Sequence, residues 1–295
     1  MSAGLPELWA PAALVHAYES GVRTVSDLLG LGPASAPLHY ERTGSGPPVL
    51  LITGLGLSGG AWWRTVPVLA RGLEVITFDN RGVGRSRGLF HTYTTEAMSD
   101  DAVSVLDAAG VECAHVYGIS LGGMVAQQLA IRHPERVRSL VLGATHAGGP
   151  QVHWPDLDVL KFLPRRLRMR PEEGAWSSVA FNYGERCRRE HADRIAEDIA
   201  QRLAHPFPEA AYRAQLWAGA LHDCSGRLHR ITAPTLVVHG REDRMIPIEN
   251  GRMLAERISG ARLIEVEECG HLFPTEAPHI DKVIAEFMRT HSVPN

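Results

Sequence analysis

The chain lacks any apolar run long enough to span a bilayer. Its first residues also lack the basic segment and unbroken apolar stretch of a signal peptide. From these absences we expect a cytoplasmic protein without stable membrane insertion.

Cysteine is scarce as well, and the four cysteines are widely spaced, with no Cys-x-x-Cys pair. This spacing argues against a zinc knuckle or a redox motif, so we expect four reduced thiols. No ligand cluster of the usual spacing and no dinucleotide or phosphate fingerprint is present, and we therefore expect neither a metal nor an organic cofactor. The cysteines are Cys113, Cys187, Cys224 and Cys269.

No excess of either charge marks the chain, because 30 Lys and Arg face 33 Asp and Glu, for a formal net charge of −3. Such a balance gives no reason to expect nucleic acid or an anionic membrane as the main partner. A small molecule is the better expectation, and composition does not indicate the number of subunits. Hydrophobic residues make up 44% of the chain, as in a folded globular protein.

Short β-branched apolar runs alternate with helical patterns from residue 48 onward. This alternation predicts an α/β fold, a mostly parallel sheet flanked by helices, with residues 36–147 and 232–295 as its core. The predicted strands are 49–53, 73–79, 114–119, 139–143, 235–240 and 262–266, with a possible antiparallel edge strand at 37–42. The predicted helices are 61–71, 94–109, 121–132, 249–259 and 277–290.

The strand pattern stops between residues 148 and 231, where aromatic and charged helical patterns replace it. We interpret this segment as an inserted helical cap, and residues 1–35 as an N-terminal helical extension of unassigned role. Within the cap, residues 161–170 form a basic run. Such a run could recognise an anionic substrate, touch a membrane surface or simply be a solvated helix face.

Ser120 lies in the sequence Gly-Ile-Ser-Leu-Gly, between a predicted strand and a predicted helix. A serine on a sharp strand-to-helix turn has its hydroxyl lifted clear of the sheet, and small flanking residues leave room for neighbouring backbone. The alternative is a glycine-rich helix start with serine as the N-cap. The strand before and the helix after favour a nucleophile.

A serine nucleophile needs a base, and the chain has 15 histidines. Catalytic groups in open α/β sheets gather at the carboxyl ends of strands, which favours His271, in the loop after strand 262–266. His146 also follows a strand and is the main alternative. His239 lies inside a predicted strand and is interpreted as structural.

The third group must be a carboxylate that orients the imidazole. Asp243 follows strand 235–240 and is our choice, with neighbouring Glu242 as the alternative. The resulting chain order, Ser120, Asp243 and His271, is the order associated with α/β-hydrolases.

Two backbone amides are candidates for the donors of an oxyanion hole. One belongs to Leu121, directly after the predicted nucleophile. The other is Leu55, in the glycine-rich loop of residues 53–60 that follows the first parallel strand. The alternative for this loop is an ordinary glycine turn.

Residues 118–122, 240–243 and 270–271 together resemble the α/β-hydrolase superfamily, in the branch of carboxylesterases, 3-oxoadipate enol-lactonases and cofactor-free haloperoxidases. The resemblance covers roughly residues 37–290 and implies an acyl-enzyme on the serine. Residues 78–86 resemble the family's Asp-x-Arg-Gly turn, which implies a structural role for Asp79, Arg81 and Ser86. Where many relatives have His-Gly at the oxyanion loop, this chain has Thr53-Gly54.

Taken together, these features predict a serine hydrolase that cleaves a carboxylic ester or lactone of a small apolar substrate. A lyase, cyclase or perhydrolase that uses the same pocket is the alternative, and a ligand-binding receptor is a further one.

Overall fold

The computed structural model describes residues 38–86, 92–205 and 207–292. The predicted extension at residues 1–35 therefore lies outside the described residues. Seven strands form one sheet in the order β1-β3-β2-β4-β5-β6-β7. The strands are β1 (Tyr40–Gly44), β2 (Pro48–Ile52), β3 (Glu74–Phe78), β4 (Ala114–Ile119), β5 (Val137–Gly143), β6 (Thr235–Gly240) and β7 (Arg262–Val266).

The sheet is parallel except at one edge, where β1 pairs with β3 in antiparallel register. The predicted edge strand at 37–42 thus exists, shifted to Tyr40–Gly44, and the other six predicted runs agree with the observed strands within two residues. All six positions of β4 and all six of β6 are buried. Burial on both faces explains why these strands are continuous apolar runs without alternation.

Helices cover both faces of the sheet. Two predicted helices are shorter than expected, because Pro67 and Pro278 each lack the N–H that an uninterrupted helix needs. The predicted helix 61–71 is a 3-10 turn followed by one helical turn, and the predicted helix 277–290 begins only at Ile280. The flanking helices are α1 (Val66–Leu69), α2 (Thr95–Ala108), α3 (Leu121–Arg132), α10 (Ile248–Arg257), α11 (Phe273–Glu276) and α12 (Ile280–Thr290).

Six described α-helices lie between β5 and β6, inside the segment interpreted as a cap. They enclose a hydrophobic cluster of their own, centred on Tyr183, Ile195 and Ile199, that is separate from the clusters on the two faces of the sheet. The cap helices are α4 (Leu157–Arg166), α5 (Pro171–Ser177), α6 (Val179–Asn182), α7 (Glu185–Glu190), α8 (Ala192–Ala204) and α9 (Glu209–Ala220).

The carboxyl ends of the parallel strands lie at one edge of the sheet and face the cap. The loop after β2, Ser120 after β4, Asp243 after β6 and His271 after β7 all belong to this edge. Within the described part of the chain, none of the helices is long and apolar enough to cross a membrane. All four cysteines are free thiols.

Candidate active site

Ser120 occupies the sharp turn between β4 and α3, with φ 58° and ψ −122°. A non-glycine residue rarely adopts a positive φ, and such strain concentrates at functional sites. Two glycines make the turn possible. A Cβ at Gly118 would lie 2.2 Å from the carbonyl oxygen of Gly122, and one at Gly122 would lie 2.0 Å from that of Ile52. The strand, the helix and β2 can approach this closely only without those side chains.

The structure brings Asp243 and His271 together, with 2.8 Å between Oδ2 and Nδ1. The other carboxylate oxygen, Oδ1, accepts the backbone N–H groups of Met245 and Ile246, each at 2.9 Å. Burial raises the pKa of this carboxyl, but the charge on His271 and hydrogen bonds from His239 and His271 outweigh burial and lower the pKa to about 2. Asp243 is therefore ionised at neutral pH.

The contact with Asp243 fixes the tautomer of His271. A carboxylate only accepts hydrogen bonds, so Nδ1 carries the hydrogen and Nε2 is left as a basic nitrogen. Ser120 and His271 line the same cavity, although no hydrogen bond joins their side chains in the described structure. Such bonds often tighten only when substrate is bound.

The alternative base, His146, and the alternative carboxylate, Glu242, have other hydrogen-bond partners. His146 is partly buried and accepts the backbone N–H of Gly148 at 3.0 Å through Nδ1. Burial, with a smaller contribution from the charge of His239, lowers the pKa of His146 to about 4. Glu242 accepts the backbone N–H of Glu185 at 2.7 Å and so contacts the cap. In the described part of the chain, neither side chain forms a hydrogen bond or an ion pair with His271.

His239, interpreted from the sequence as structural, proves to be a neighbour of Asp243. Its Nε2 lies 2.8 Å from the carbonyl oxygen of Ile246 and 3.3 Å from Oδ2 of Asp243. Both are acceptors, so Nε2 carries the hydrogen. Nδ1 is buried without a partner against Gly251, where a Cβ would lie 2.6 Å away. In the sequence, this contact could have been indicated by the four-residue spacing between His239, in a predicted buried strand, and Asp243.

The loop after β2 runs alongside the serine, since a Cβ at Gly54 would lie 3.4 Å from the Cβ of Ser120. Neither the Leu55 amide nor the Leu121 amide has a hydrogen-bond acceptor among the described residues. Both N–H groups are thus available to an oxygen atom bound beside Ser120.

Gln215 of the cap holds this loop, and sequence reasoning missed it. Its Oε1 accepts the backbone N–H of Gly56 at 2.9 Å, and its Nε2 donates to the carbonyl oxygen of Arg81 at 3.1 Å. The side chain is fully buried. Because Gly56 and Gln215 are 159 residues apart, no local pattern could have indicated the contact.

The Asp79 turn supports the same loop from outside the cavity. Oδ1 of Asp79 accepts the N–H of Gly59 at 2.7 Å, and Oδ2 accepts the N–H of Arg85 at 2.8 Å. Arg81 donates to Asp101 at 2.6 Å, and Ser86 accepts the N–H of His39 at 2.9 Å. None of Asp79, Arg81 and Ser86 lines the cavity.

Glu276 ties the histidine loop to the cap. Oε1 accepts the N–H of Gly270 and Oε2 accepts the N–H of Gly184, both at 2.8 Å. Burial raises the pKa of this carboxyl to about 7, although the two backbone hydrogen bonds act in the opposite direction.

A cavity of about 210 Å³ separates the sheet edge from the cap. In the basic run at 161–170, Arg165, Arg168 and Arg170 are exposed, whereas Arg166 points into the cavity and is only 7% exposed. No group of three or more His, Cys, Asp or Glu in the described ranges could hold a metal ion. Besides Ser120 and His271, the lining includes Leu55, Trp62, Phe162, Arg166, Tyr183, Arg202 and Tyr212.

Comparison with known proteins identifies the family of the chain. Residues 47–278 match the family described as the alpha/beta hydrolase fold. The chain belongs to the α/β-hydrolase family. This membership confirms both the predicted fold class and the resemblance noted in the sequence, and it makes the protein an enzyme of hydrolase type by kinship with hydrolases.

Three known proteins are similar to this α/β-hydrolase in sequence or structure. RutD of Azorhizobium caulinodans, named as a carbamate hydrolase, is 33% identical over 255 residues, which cover 83% of this chain and 92% of RutD. The 2-hydroxymuconate semialdehyde hydrolase of Pseudomonas sp. strain CF600 is 34% identical and covers 85% and 89% of the two chains. The structure of a thermophilic esterase from Thermogutta terrifontis has a TM-score of 0.74, with 28% identity, and covers 88% of this chain and 97% of the esterase.

Proposed function

We propose that the protein is a serine hydrolase that cleaves a carboxylic ester or lactone of a small, largely apolar substrate through an acyl-enzyme on Ser120. The observation that carries the proposal is the placement of Ser120 on a strained turn in the same cavity as an imidazole that Asp243 orients at 2.8 Å. This is the arrangement that activates a weak hydroxyl nucleophile.

In the proposed mechanism, Nε2 of His271 takes the Ser120 proton as the hydroxyl attacks the carbonyl carbon. The negative charge that develops on the carbonyl oxygen is held by the Leu55 and Leu121 amides, which have no acceptor in the described protein. His271 then gives the proton to the leaving alcohol and later activates water for release of the acid. Asp243 stabilises the imidazolium in both steps.

The relatives support a hydrolytic reaction and differ in their named substrates, a carbamate and a semialdehyde. Because one triad serves several carbonyl chemistries, the substrate panel should include esters, lactones and carbamates. A lyase, cyclase or perhydrolase would show weak ester turnover beside a faster reaction on another compound.

Labelling with a fluorophosphonate probe, followed by mass mapping, tests whether Ser120 is activated. We expect one label, on Ser120, and turnover of 4-nitrophenyl esters that disappears in Ser120→Ala. Ser58→Ala is the matched control, because Ser58 also lines the cavity and should keep both label and turnover. Label elsewhere, or no turnover across acyl lengths, lactones and carbamates, would refute the proposal.

A further inference from the structure

The cavity beside Ser120 contains one acidic side chain that is already neutralised. Asp198 accepts a hydrogen bond from Nε of Arg64 at 3.0 Å, and Nη2 of Arg64 also contacts Glu197 at 2.7 Å. The second oxygen of Asp198 accepts from the hydroxyls of Tyr183 and Thr275. This lining pair therefore contributes little net charge to the cavity.

Two further arginines line the cavity, Arg166 and Arg202, and neither is paired with a carboxylate as Arg64 is. Neither has a carboxylate within 4.0 Å or a hydrogen-bond acceptor among residues 38–86, 92–205 and 207–292. Nε of Arg202 is inaccessible to solvent and unpartnered. The cavity thus holds two cationic groups without an internal anion.

This arrangement is costly for the empty protein. Buried charges are ordinarily paired, because leaving one unpaired forfeits its hydration. Burial, with a smaller contribution from the charge of Arg166, lowers the pKa of Arg202 to about 10. Burial also lowers the pKa of Arg166. Both residues lie in the last turns of their helices, α4 and α8, where the helix dipole offsets part of the cost without supplying an acceptor.

Arg166 is nevertheless held in a defined position. Its guanidinium carbon lies 5.5 Å from the ring centroids of both Phe207 and Tyr212, which stack on each other at 4.7 Å. On another side of the guanidinium, a Cβ at Gly174 would lie 2.9 Å from Nη1 of Arg166. Two aromatic faces and a missing side chain therefore fix the guanidinium and leave its N–H groups without a protein acceptor.

The same aromatic pair connects the arginine to the oxyanion loop. Tyr212 packs on Gly56, where a Cβ would lie 2.7 Å from Cδ2 of the ring. Gly56 is the residue directly after Leu55, whose free amide faces the reacting carbonyl in the proposed mechanism. The cationic part of the cavity is thus built onto the loop that would bind the oxyanion.

We propose that Arg166 and Arg202 form a carboxylate-binding subsite, and that the substrate is an ester or lactone carrying a second, ionised carboxyl group. The inference rests on the proposed hydrolase function and specifies its substrate class. A planar guanidinium matches a carboxylate through parallel N–H···O bonds. Anchoring the far end of the substrate then positions its carbonyl against Ser120.

Two esters that differ only at the far end test the subsite. Mono-4-nitrophenyl adipate ends in a carboxylate, whereas 4-nitrophenyl hexanoate ends in a methyl group. We expect the wild-type protein to have a kcat/KM at least about 10-fold higher for the adipate. In Arg166→Met and Arg202→Met, the value for the adipate should fall about 30-fold or more. The value for the hexanoate should change by less than about threefold.

Arg165→Met is the matched control, because Arg165 precedes Arg166 in the same helix and is exposed. It should leave the adipate preference intact. Equal kcat/KM values for the two esters in the wild type, or an unchanged adipate preference in the double variant Arg166→Met/Arg202→Met, would overturn the subsite while the hydrolase proposal stands.

Thermal unfolding supplies a readout that does not depend on turnover. Adipate dianion should raise the unfolding temperature of the wild-type protein and of Arg165→Met, and have no effect on the double variant. Without ligand, the double variant should unfold at the same temperature as the wild type or higher, because two positive charges without a counter-ion are removed from the cavity. If no ester, lactone or carbamate of the panel is hydrolysed, adipate stabilisation that the double variant loses still supports the subsite, and only the hydrolase function is refuted. Equal stabilisation of all variants refutes the subsite.

Discussion

The side-chain oxygen of Gln215 accepts the backbone N–H of Gly56 at 2.9 Å, which joins a cap helix to the loop beside Ser120. The same side chain donates to the carbonyl oxygen of Arg81 at 3.1 Å. A single buried amide therefore holds the Leu55 amide in place from the cap side. The cap contributes to the geometry of the candidate oxyanion hole as well as to the shape of the cavity.

Gln215→Met should lower kcat about 10-fold and change KM less than threefold. Methionine fills the volume but cannot accept from Gly56, so the loop carrying the Leu55 amide loses its anchor. Loss of a whole oxyanion donor costs about 10²–10³ in rate, and a loosened one should cost less. Steady-state kinetics on a neutral 4-nitrophenyl ester measures the effect.

Gln128→Met is the control for that experiment, because Gln128 is equally buried but donates to Glu96 away from the cavity. It should lower the unfolding temperature without lowering kcat. A Gln215→Met enzyme with wild-type kcat would show that the loop keeps its position without the cap.

Asp243→Asn should reduce kcat by about 10³–10⁴ with little loss of folded protein. The amide can donate to Nδ1 of His271, which would move the hydrogen to Nε2 and remove the base that faces Ser120. Single-turnover kinetics with a 4-nitrophenyl ester should show slow acylation. Glu242→Gln, at the neighbouring position, should retain acylation within about threefold, and a comparable loss there would contradict the assignment of Asp243.

Gly122→Ala should destabilise the protein by about 3 kcal/mol or prevent its folding. The new methyl group would stand 2.0 Å from the carbonyl oxygen of Ile52 and 2.7 Å from that of Thr53, and backbone cannot move aside as a flexible side chain can. Urea denaturation measures the change. Gly226→Ala, where nothing lies within 4 Å, should be nearly neutral.

Asp281→Asn should increase the free energy of unfolding relative to the wild type, and this increase should be larger at pH 8 than at pH 4. Asp281 is 1% exposed with one unpartnered oxygen, and burial raises its pKa from 3.8 to about 7, against a hydrogen bond from Thr65. The raised pKa means that its favourable contribution is complete below about pH 3.8 and is lost as the pH rises through about 7. The pH-dependent contribution of Asp281 to the free energy of unfolding is at most about 4 kcal/mol.

The free energy of unfolding of wild type and Asp281→Asn, measured from pH 4 to pH 8, tests this sign. The difference between them should grow in favour of the variant as pH rises. Glu256→Gln, at an exposed position, should track the wild type throughout. A constant difference for Asp281→Asn would mean that this carboxyl is ionised over the whole range.

Much of the sheet was predictable because its strands are buried on both faces and therefore stand out as apolar runs. The approximate placement of Ser120 and Asp243 followed from the same logic, since they come within three residues of the ends of the buried strands β4 and β6. His271 lies in the loop after β7, which is less buried. The predicted bounds of two helices were wrong near Pro67 and Pro278, because proline lacks the N–H that a helix needs although the surrounding pattern is helical.

Contacts across the fold were beyond a one-dimensional pattern. Gln215 carries no local signal, because its partner is 159 residues away. Arg166 could not be distinguished from Arg165 or Arg168 in one basic run, since only the packing of α4 decides which side chain is buried. His239 looked like a core residue, and its contact with Asp243 depends on how the loop after β6 turns back.

The carboxylate of Glu276 joins Gly270, directly before His271, to Gly184 at the start of a cap helix. Any outward swing of this side of the cap would pull on the histidine loop and draw the imidazole away from Ser120. Substrate entry by that route and proton transfer would then exclude each other in time. Through these two hydrogen bonds, closure of the cap and placement of the base beside Ser120 would then be a single event.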